Sequence, residues 1–557
     1  MSKSEERTVI LKKKAEQIVF CSLLALLAFI PFLNGTVSAG GDTAFYFNRI
    51  EALSSSLREH VIPSVYRTQN YGYGYGTPLF LPDLFMYIPA FFRLHMTLLS
   101  AYRLFVYLIL SAQAMSMYSV TEKVIKHDRT ARYLSTLLFV CCTYCWASLM
   151  NNGTLAESIS AIFVPQVIYG LYSLLAEGAW YRLAVSLSGM MLSDPVLGVM
   201  MSAVCVIICI RHHALFSRNR NTLKGAAMAA VTAAGIPAGY FITAAEQLFS
   251  GDYYVRDLFL SSANLTGQTE WAGLLDLIPS GYPHLLHSVG FGLLFLPLLS
   301  LKARGKYASF AREIMLAGYI LLLGSFRLFP WMIIPFAGIL EYPQRLFYIS
   351  AGCLAFAAGY GFSHASFRKK DREYIRKSLA GICLLSAVLM ISVQFNIVGS
   401  VSRYRDINST DGASPALRYN EKELGRGRFL PKNNYVYSAG NRTAHHISQI
   451  AGFTEDAESC SCPYEGGGSY VFPVTWYKGY TVSVMHNGGE IYKAETAADT
   501  ASGLVSFELP DDLPADSTAV LAYRSTALQR TGTVISMTVF ILSAVFAVMQ
   551  RLQEKKA

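Results

Sequence analysis

The chain has 557 residues; 53% are hydrophobic, only 15% are charged, and 47 Lys and Arg against 37 Asp and Glu leave a net charge of +10. Such a composition sets it apart from soluble globular domains and places it among polytopic membrane proteins. The positive excess is a topology signal and not a nucleic-acid footprint, because the basic residues gather between alternate apolar runs.

Apolar runs of about 18 residues or more read as transmembrane helices. The first covers 15–34 behind Lys3, Arg7, Lys12, Lys13 and Lys14. It has no small-residue cleavage site before Asp42 and reads as an uncleaved first helix. A long outer stretch, 35–99, comes next. It opens with "GGDTAFYFNRI" and continues as an amphipathic helix expected to lie along the membrane surface, with Ile50, Leu53 and Leu57 on one face and Asn48, Arg49, Ser55 and Glu59 on the other. A Gly-rich aromatic loop, "TQNYGYGYGTP", precedes "LFLPDLFMYIPAFFRL", whose Pro82, Asp83 and Pro89 predict a segment that dips into the interface without crossing.

Further runs lie at 100–120, 131–150, 155–176, 225–245, 312–329, 345–363, 378–396 and 531–549, with a shorter one at 288–301. The run 183–210 is broken by Ser193-Asp194-Pro195 and predicts a hairpin of two short helices. Together these predict a mainly α, polytopic protein with about twelve crossings. Twenty-seven of the 47 Lys and Arg then fall on one side, so both termini are expected in the cytoplasm, and 35–99, 246–287 and 397–530 outside. Region 397–530 holds Gly466-Gly467-Gly468 and Asn487-Gly488-Gly489 turns between "SYVFPVTWY", "YTVSVMH", "GLVSFEL" and "AVLAYRS". It reads as a small extracytoplasmic β-sandwich. The expected organisation is a membrane domain over 1–396, the β-rich domain over 397–530, and a last helix with a cytoplasmic tail over 531–557.

Few residues carry chemistry. Asp42, at the outer interface ahead of a helix, is placed to take a proton from a hydroxyl, to hold a metal, or simply to cap the helix. Glu157 opens the fourth run, either as a favourable acid in a first helical turn or as a second carboxylate sharing a cavity with Asp42. Arg345, in "EYPQRLFYIS", sits at head-group depth, where a guanidinium binds phosphate or pairs with Glu341 four residues earlier. Asp83 reads as a polar-cavity residue or an Asx turn, and Arg67 and Arg327 as weaker cations of the same kind. The tyrosines of "YGYGYG", Tyr73 among them, offer flat faces for a sugar ring or form an ordinary aromatic belt. Cys460 and Cys462 are too close for an unstrained bond, and no His/Cys spacing for zinc appears.

"GGDTAFYFNRIEAL" with "YGYGYGTPLFLPDLFMYIPAFFRL", "GTLAESISAIFVPQVIYGLY", "LEYPQRLFYIS" and "YVFPVTWYKGYTVSV" resembles YfhO-like bacterial membrane proteins. Some of that group are labelled 6-pyruvoyl-tetrahydropterin synthase-related; no outer His cluster that would hold zinc for a pterin reaction is present here. The group resembles GT-C glycosyltransferases, polytopic enzymes that use polyprenyl-phosphate sugars and keep an acid in the first outer loop. The resemblance implies that Asp42 is the first-loop acid, Glu157 a second acid, and Arg345 a donor-phosphate contact. Glu341, Asp83, Arg67 and Tyr73 complete the expected substrate-binding set. Position 44 is Ala where a paired DxD version carries its second Asp, so a divalent metal stays open. "LSDPV" departs from relatives that tend to carry a His after the Ser, and Asp194 is assigned no role.

The expected activity is therefore inverting transfer of a sugar from a lipid-linked donor to an envelope glycan or teichoic-acid-like acceptor at the outer face of a bacterial cell membrane, with membrane lipid as a further partner and no nucleic acid. The alternatives are a transporter or flippase for lipid-linked sugars, disfavoured because no repeat is visible and the acids cluster at one face, and a non-catalytic envelope scaffold.

Overall fold

The computed structural model describes residues 3–33, 37–38, 41–260, 288–326, 329–334, 337–365, 372–397, 403–404, 427–432, 450–456 and 458–556. Arg327 and most of the outer stretch between 398 and 449 lie outside the described residues.

A helix stands at each predicted apolar run. Among the described residues six are long and apolar enough to cross a membrane: Leu11–Phe32, Leu98–Val124, Leu155–Glu177, Pro343–His364, Glu373–Ser392 and Ala527–Met549. Two bent pairs, Arg129–Val140 with Thr143–Asn152 and Arg220–Gly235 with Ala238–Ser250, raise the number to eight if each counts as one span. The chain is thus multi-pass, but the expected count of twelve is not reached by length. The reason is plain in the hairpin at 183–210, whose helices Tyr181–Met191 and Pro195–Arg211 have 11 and 17 residues. At about 1.5 Å per residue they reach roughly 17 and 26 Å, short of a hydrocarbon core about 30 Å thick.

The helix Phe347–His364 occupies the middle of the bundle and is buried almost all round. Its sequence, FYISAGCLAFAAGYGFSH, is rich in Gly and Ala, which lets neighbouring backbones come close. Small hydroxyls seal these approaches: Ser135 donates to the Ala355 carbonyl at 2.7 Å, and Ser350 to the Gly318 carbonyl at 2.8 Å. The helix start carries Arg345 and so fixes where that guanidinium enters the fold.

The stretch after the first helix is folded into the protein. Its helix, Thr43–Arg58, buries Ile50 and Leu53 as expected, but also Arg49. The Arg49 guanidinium turns inward because Asp83 pairs with it; the Asp83 carboxylate accepts from Arg49 Nε at 3.2 Å and from the Tyr66 hydroxyl at 2.5 Å. An inward Arg is tolerated only with such a partner. The segment after "YGYGYG" is broken into short helices, Thr77–Phe80 and Tyr87–Arg93, and leaves Leu84, Ile88 and Phe91 exposed, an apolar edge suited to lipid.

The β-rich domain is a sandwich. One sheet runs in the order Thr454–Glu455, Ser459–Pro463, Thr518–Tyr523, Tyr480–His486, Gly489–Glu495; the other is Gly468–Thr475, Leu504–Leu509, Ala497–Ala498, and neighbours are antiparallel throughout. Alternate residues of both sheets, Val482, Val484 and Leu521 from one and Phe472, Val505 and Phe507 from the other, share a core. That core continues into Phe45, Tyr75, Leu79 and Phe80 of the first outer stretch, so the domain is packed onto the membrane unit instead of hanging from a tether. Arg67 clamps the junction, donating to the carbonyls of Asp456 and Ser459 at 2.9 Å and of Glu458 at 2.7 Å.

Arg67→Ala removes those three bonds and leaves carbonyls at the junction unmet. The expected loss is about 1–3 kcal/mol, read as a lower thermal midpoint together with faster proteolysis near 456–460, while the isolated sandwich core stays folded.

Candidate active site

Glycine explains how Asp42 is placed. Gly41 has φ +53°, and a Cβ there would lie 2.5 Å from the Asn152 carbonyl oxygen. Gly153 has φ +67°, and its Cβ would lie 2.4 Å from Thr43 Oγ1. The start of the Thr43–Arg58 helix therefore sits flush against the turn before Leu155–Glu177, and the Asp42 amide donates to the Asn152 carbonyl at 2.8 Å. Only glycine permits both the left-handed backbone and the contact. Asp42 stands at the N-cap position, yet its side chain makes no capping bond. The carboxylate points instead into a cavity of about 320 Å³.

Five segments far apart in sequence line that cavity with charge. Asp42 comes from the first outer stretch, Glu157 from the first turn of Leu155–Glu177, Asp194 from the hairpin tip, and Glu341 with Arg345 from the turn entering the central helix; Arg428 reaches in from the strap 427–432. The opposite wall is apolar, formed by Tyr240, Phe241, Ala244 and Leu248 of the helix Ala238–Ser250. The Tyr240 hydroxyl anchors this wall by donating to the Phe80 carbonyl at 2.8 Å.

Arg345 is the hub. Its Nε and Nη2 donate to Glu157 Oε1 at 3.1 and 3.0 Å, and the same oxygen accepts from the Tyr342 hydroxyl at 2.8 Å. Nη2 lies 3.5 Å from Asp194 Oδ2, and Nη1 lies 4.0 Å from Glu341. Asp194 Oδ1 caps the following helix, accepting from the Leu197 amide at 3.0 Å, while Oδ2 is buried without a hydrogen-bond donor. Arg428 Nη1 pairs with the other Glu341 oxygen. Among the described residues no side chain donates to the Asp42 carboxylate. Burial pushes its pKa up to about 6, with Glu157 and Glu341 adding to the rise and Arg428 and Arg345 opposing it. A carboxylate in this condition is a competent proton acceptor near neutral pH.

The structure brings Asp42, Glu157, Glu341 and Arg345 into one cavity. Asp83, Arg67 and Tyr73 stand apart from its lining. Asp83 is held by Arg49 and Tyr66, and Arg67 holds the sandwich. Tyr73 is fully buried beside Leu504, its carbonyl accepting from the Thr475 amide at 2.7 Å, so its ring offers no open face. Asp194 and Arg428 are the residues that sequence reasoning missed. For Asp194 the signal was present, since an acid in an apolar hairpin is costly and faces a cavity. Arg428 lies in a polar stretch where an Arg is unremarkable.

A divalent cation does not fit the donors present. Among the described residues no three His, Cys, Asp or Glu side chains gather as a metal-holding group. The carboxylates nearest Asp42 are turned toward Arg345 and Arg428.

No family model matches the chain. An uncharacterized protein of Lactococcus lactis subsp. cremoris is 24% identical over 349 residues, covering 58% of this chain and 55% of that protein. Among solved structures, the arabinofuranosyltransferase AftD from Mycobacteria aligns with a TM-score of 0.46 and 14% identity over 69% of this chain and 28% of that one. The chain therefore spans about half the length of the curated relative it matches and less than a third of AftD.

Gly41→Ala is expected to cost about 2 kcal/mol or more, because the new methyl meets the Asn152 backbone, and to displace Asp42 from the cavity. Thermal unfolding in detergent measures the first effect. Loss of the titration near pH 6, followed by carboxylate infrared difference spectra against Asp42→Asn, measures the second.

Proposed function

We propose that this chain is an integral-membrane glycosyltransferase of GT-C type, which moves a sugar from a polyprenyl-phosphate donor to a hydroxyl of an envelope glycan at the outer face. The observation that carries the reading is the Asp42 carboxylate: unpartnered among the described residues, raised to about 6, and aimed into a cavity walled by guanidiniums on one side and apolar side chains on the other.

Asp42 accepts the proton of the acceptor hydroxyl as its oxygen attacks the anomeric carbon. The bond from that carbon to the phosphate oxygen breaks, and the lipid phosphate leaves as an anion. A single displacement of this kind inverts the configuration. A phosphate is a good leaving group, so no strong general acid is needed. The guanidinium side stabilises the negative charge that builds on the leaving oxygen, and the apolar wall receives the start of the lipid chain. Glu157 acts through Arg345: its Oε1 already accepts three bonds, so it positions the cation and does not take the proton. The sandwich, packed beside the cavity, presents the acceptor polymer.

Asp42→Asn is expected to lower transfer from a polyprenyl-phosphate sugar in proteoliposomes by about 10²–10⁴-fold without lowering the thermal midpoint. Unchanged transfer by a folded Asn variant overturns the reading. The base works deprotonated, so the rate should fall as pH drops through about 6. Glu157→Gln removes a negative neighbour and eases ionisation of Asp42, so the acid limb of the pH–rate profile should move to lower pH.

A further inference from the structure

Glu341 is the unusual member of the cavity. Its backbone φ is +59°, a left-handed conformation that a residue with a side chain seldom adopts. Its two carboxylate oxygens lie between two guanidiniums, one paired with Arg428 and the other 4.0 Å from Arg345. Arg428 is held firmly in place. Its carbonyl accepts from the Val255 amide at 2.8 Å, and the adjoining Phe429 amide donates to the Tyr75 hydroxyl at 3.2 Å.

Charge counting gives this arrangement a consequence. The lining has four carboxylates, Asp42, Glu157, Asp194 and Glu341, against three guanidiniums, Arg49, Arg345 and Arg428, and Arg49 is already engaged by Asp83. An entering anion therefore meets a net negative wall while all four acids face inward. They differ in freedom to leave: the side chains of Glu157 and Asp194 are 2% exposed, whereas that of Glu341 is 25% exposed. Turning Glu341 outward takes one negative charge from the wall, strips Arg428 of its partner and releases one side of Arg345.

We propose that Arg345 and Arg428 form a two-guanidinium clamp for the phosphate of an isoprenoid lipid phosphate, and that Glu341 is the internal anion which the phosphate displaces. This rests on the transfer reading above and names how its donor is held. Two guanidinium forks match the oxygens of a phosphate monoester in a way that point charges do not. A phosphate on a membrane-bound chain would enter from the side of the apolar wall, where Phe241 and Leu248 lie.

The test uses the full chain in phosphatidylcholine nanodiscs and the binding of farnesyl phosphate. Arg428→Gln is expected to weaken binding about tenfold or more, and Glu341→Gln to tighten it severalfold because the competing anion is gone. Arg428→Lys, the more conservative change, keeps the charge opposite Glu341 and should lose about threefold, so a folding defect in the Gln variant does not blunt the test. Binding that ignores both Arg428 substitutions, or that weakens in Glu341→Gln, overturns the clamp. Inorganic phosphate and phosphatidylglycerol offer the same chemistry from other sources; farnesyl phosphate should bind about tenfold tighter than either, and equal affinity for either overturns the assignment to an isoprenoid lipid. Binding and transfer fail separately. A clamp lost while Asp42→Asn still abolishes transfer leaves the enzyme reading intact, and a clamp confirmed with transfer indifferent to Asp42 does the reverse.

Discussion

One largely enclosed guanidinium, that of Arg345, organises the charged cavity of this protein. Arg keeps its charge at every accessible pH, so enclosing it demands carboxylates, and three segments supply them: Glu157 from a helix start, Asp194 from a hairpin tip and Glu341 from the turn just before it. Each contact fixes a piece of chain that would otherwise be an independent loop. Breaking such a buried pair by removing one partner typically costs about 3–5 kcal/mol, because the remaining charge is left uncompensated. The cavity exists because these segments converge on one cation, and Asp42 is drawn into their electrostatic field without being paired by it.

The surroundings are braced from outside. Helix Ala238–Ser250, which forms the apolar wall, is tied to the final helix by Glu246, whose Oε2 accepts from Thr526 and Gln529 at 2.8 Å each, and by the Gly239 amide, which donates to Ser536 at 2.7 Å. Its Gln247 exchanges two bonds with the Lys478 backbone of the sandwich, at 2.6 and 3.0 Å. The sandwich thus touches the cavity wall directly, and its movement relative to the membrane unit would change the shape of the pocket.

Much of this was legible in the sequence, for an identifiable reason. Charged residues at the ends of apolar runs are few and costly, so Asp42, Glu157 and Arg345 stood out against a quiet background. The decision between an N-cap and a free carboxylate at Asp42 was not legible, since it depends on backbone geometry set by Gly41 and Gly153 against distant partners. Helical periodicity put Arg49 on a polar face, but its partner Asp83 lies 34 residues away, beyond the reach of any local pattern. Arg67 and Tyr73 were read as ligand contacts from their neighbourhood, whereas the bonds they make are to the sandwich some 400 residues later in the chain. The number of crossings goes beyond what the described helices support for a simpler cause: an apolar run reports composition, not the length of unbroken helix that it forms.

The order of the cavity's parts along the chain matters for biogenesis. Its first carboxylate is Asp42, near the start of the sequence, while its last cation, Arg428, follows after most of the helices have been synthesised. Before that segment is made, the lining has its four carboxylates and only the guanidiniums of Arg49 and Arg345. The full charge lining of the cavity therefore arises only when the late segment 427–432 docks.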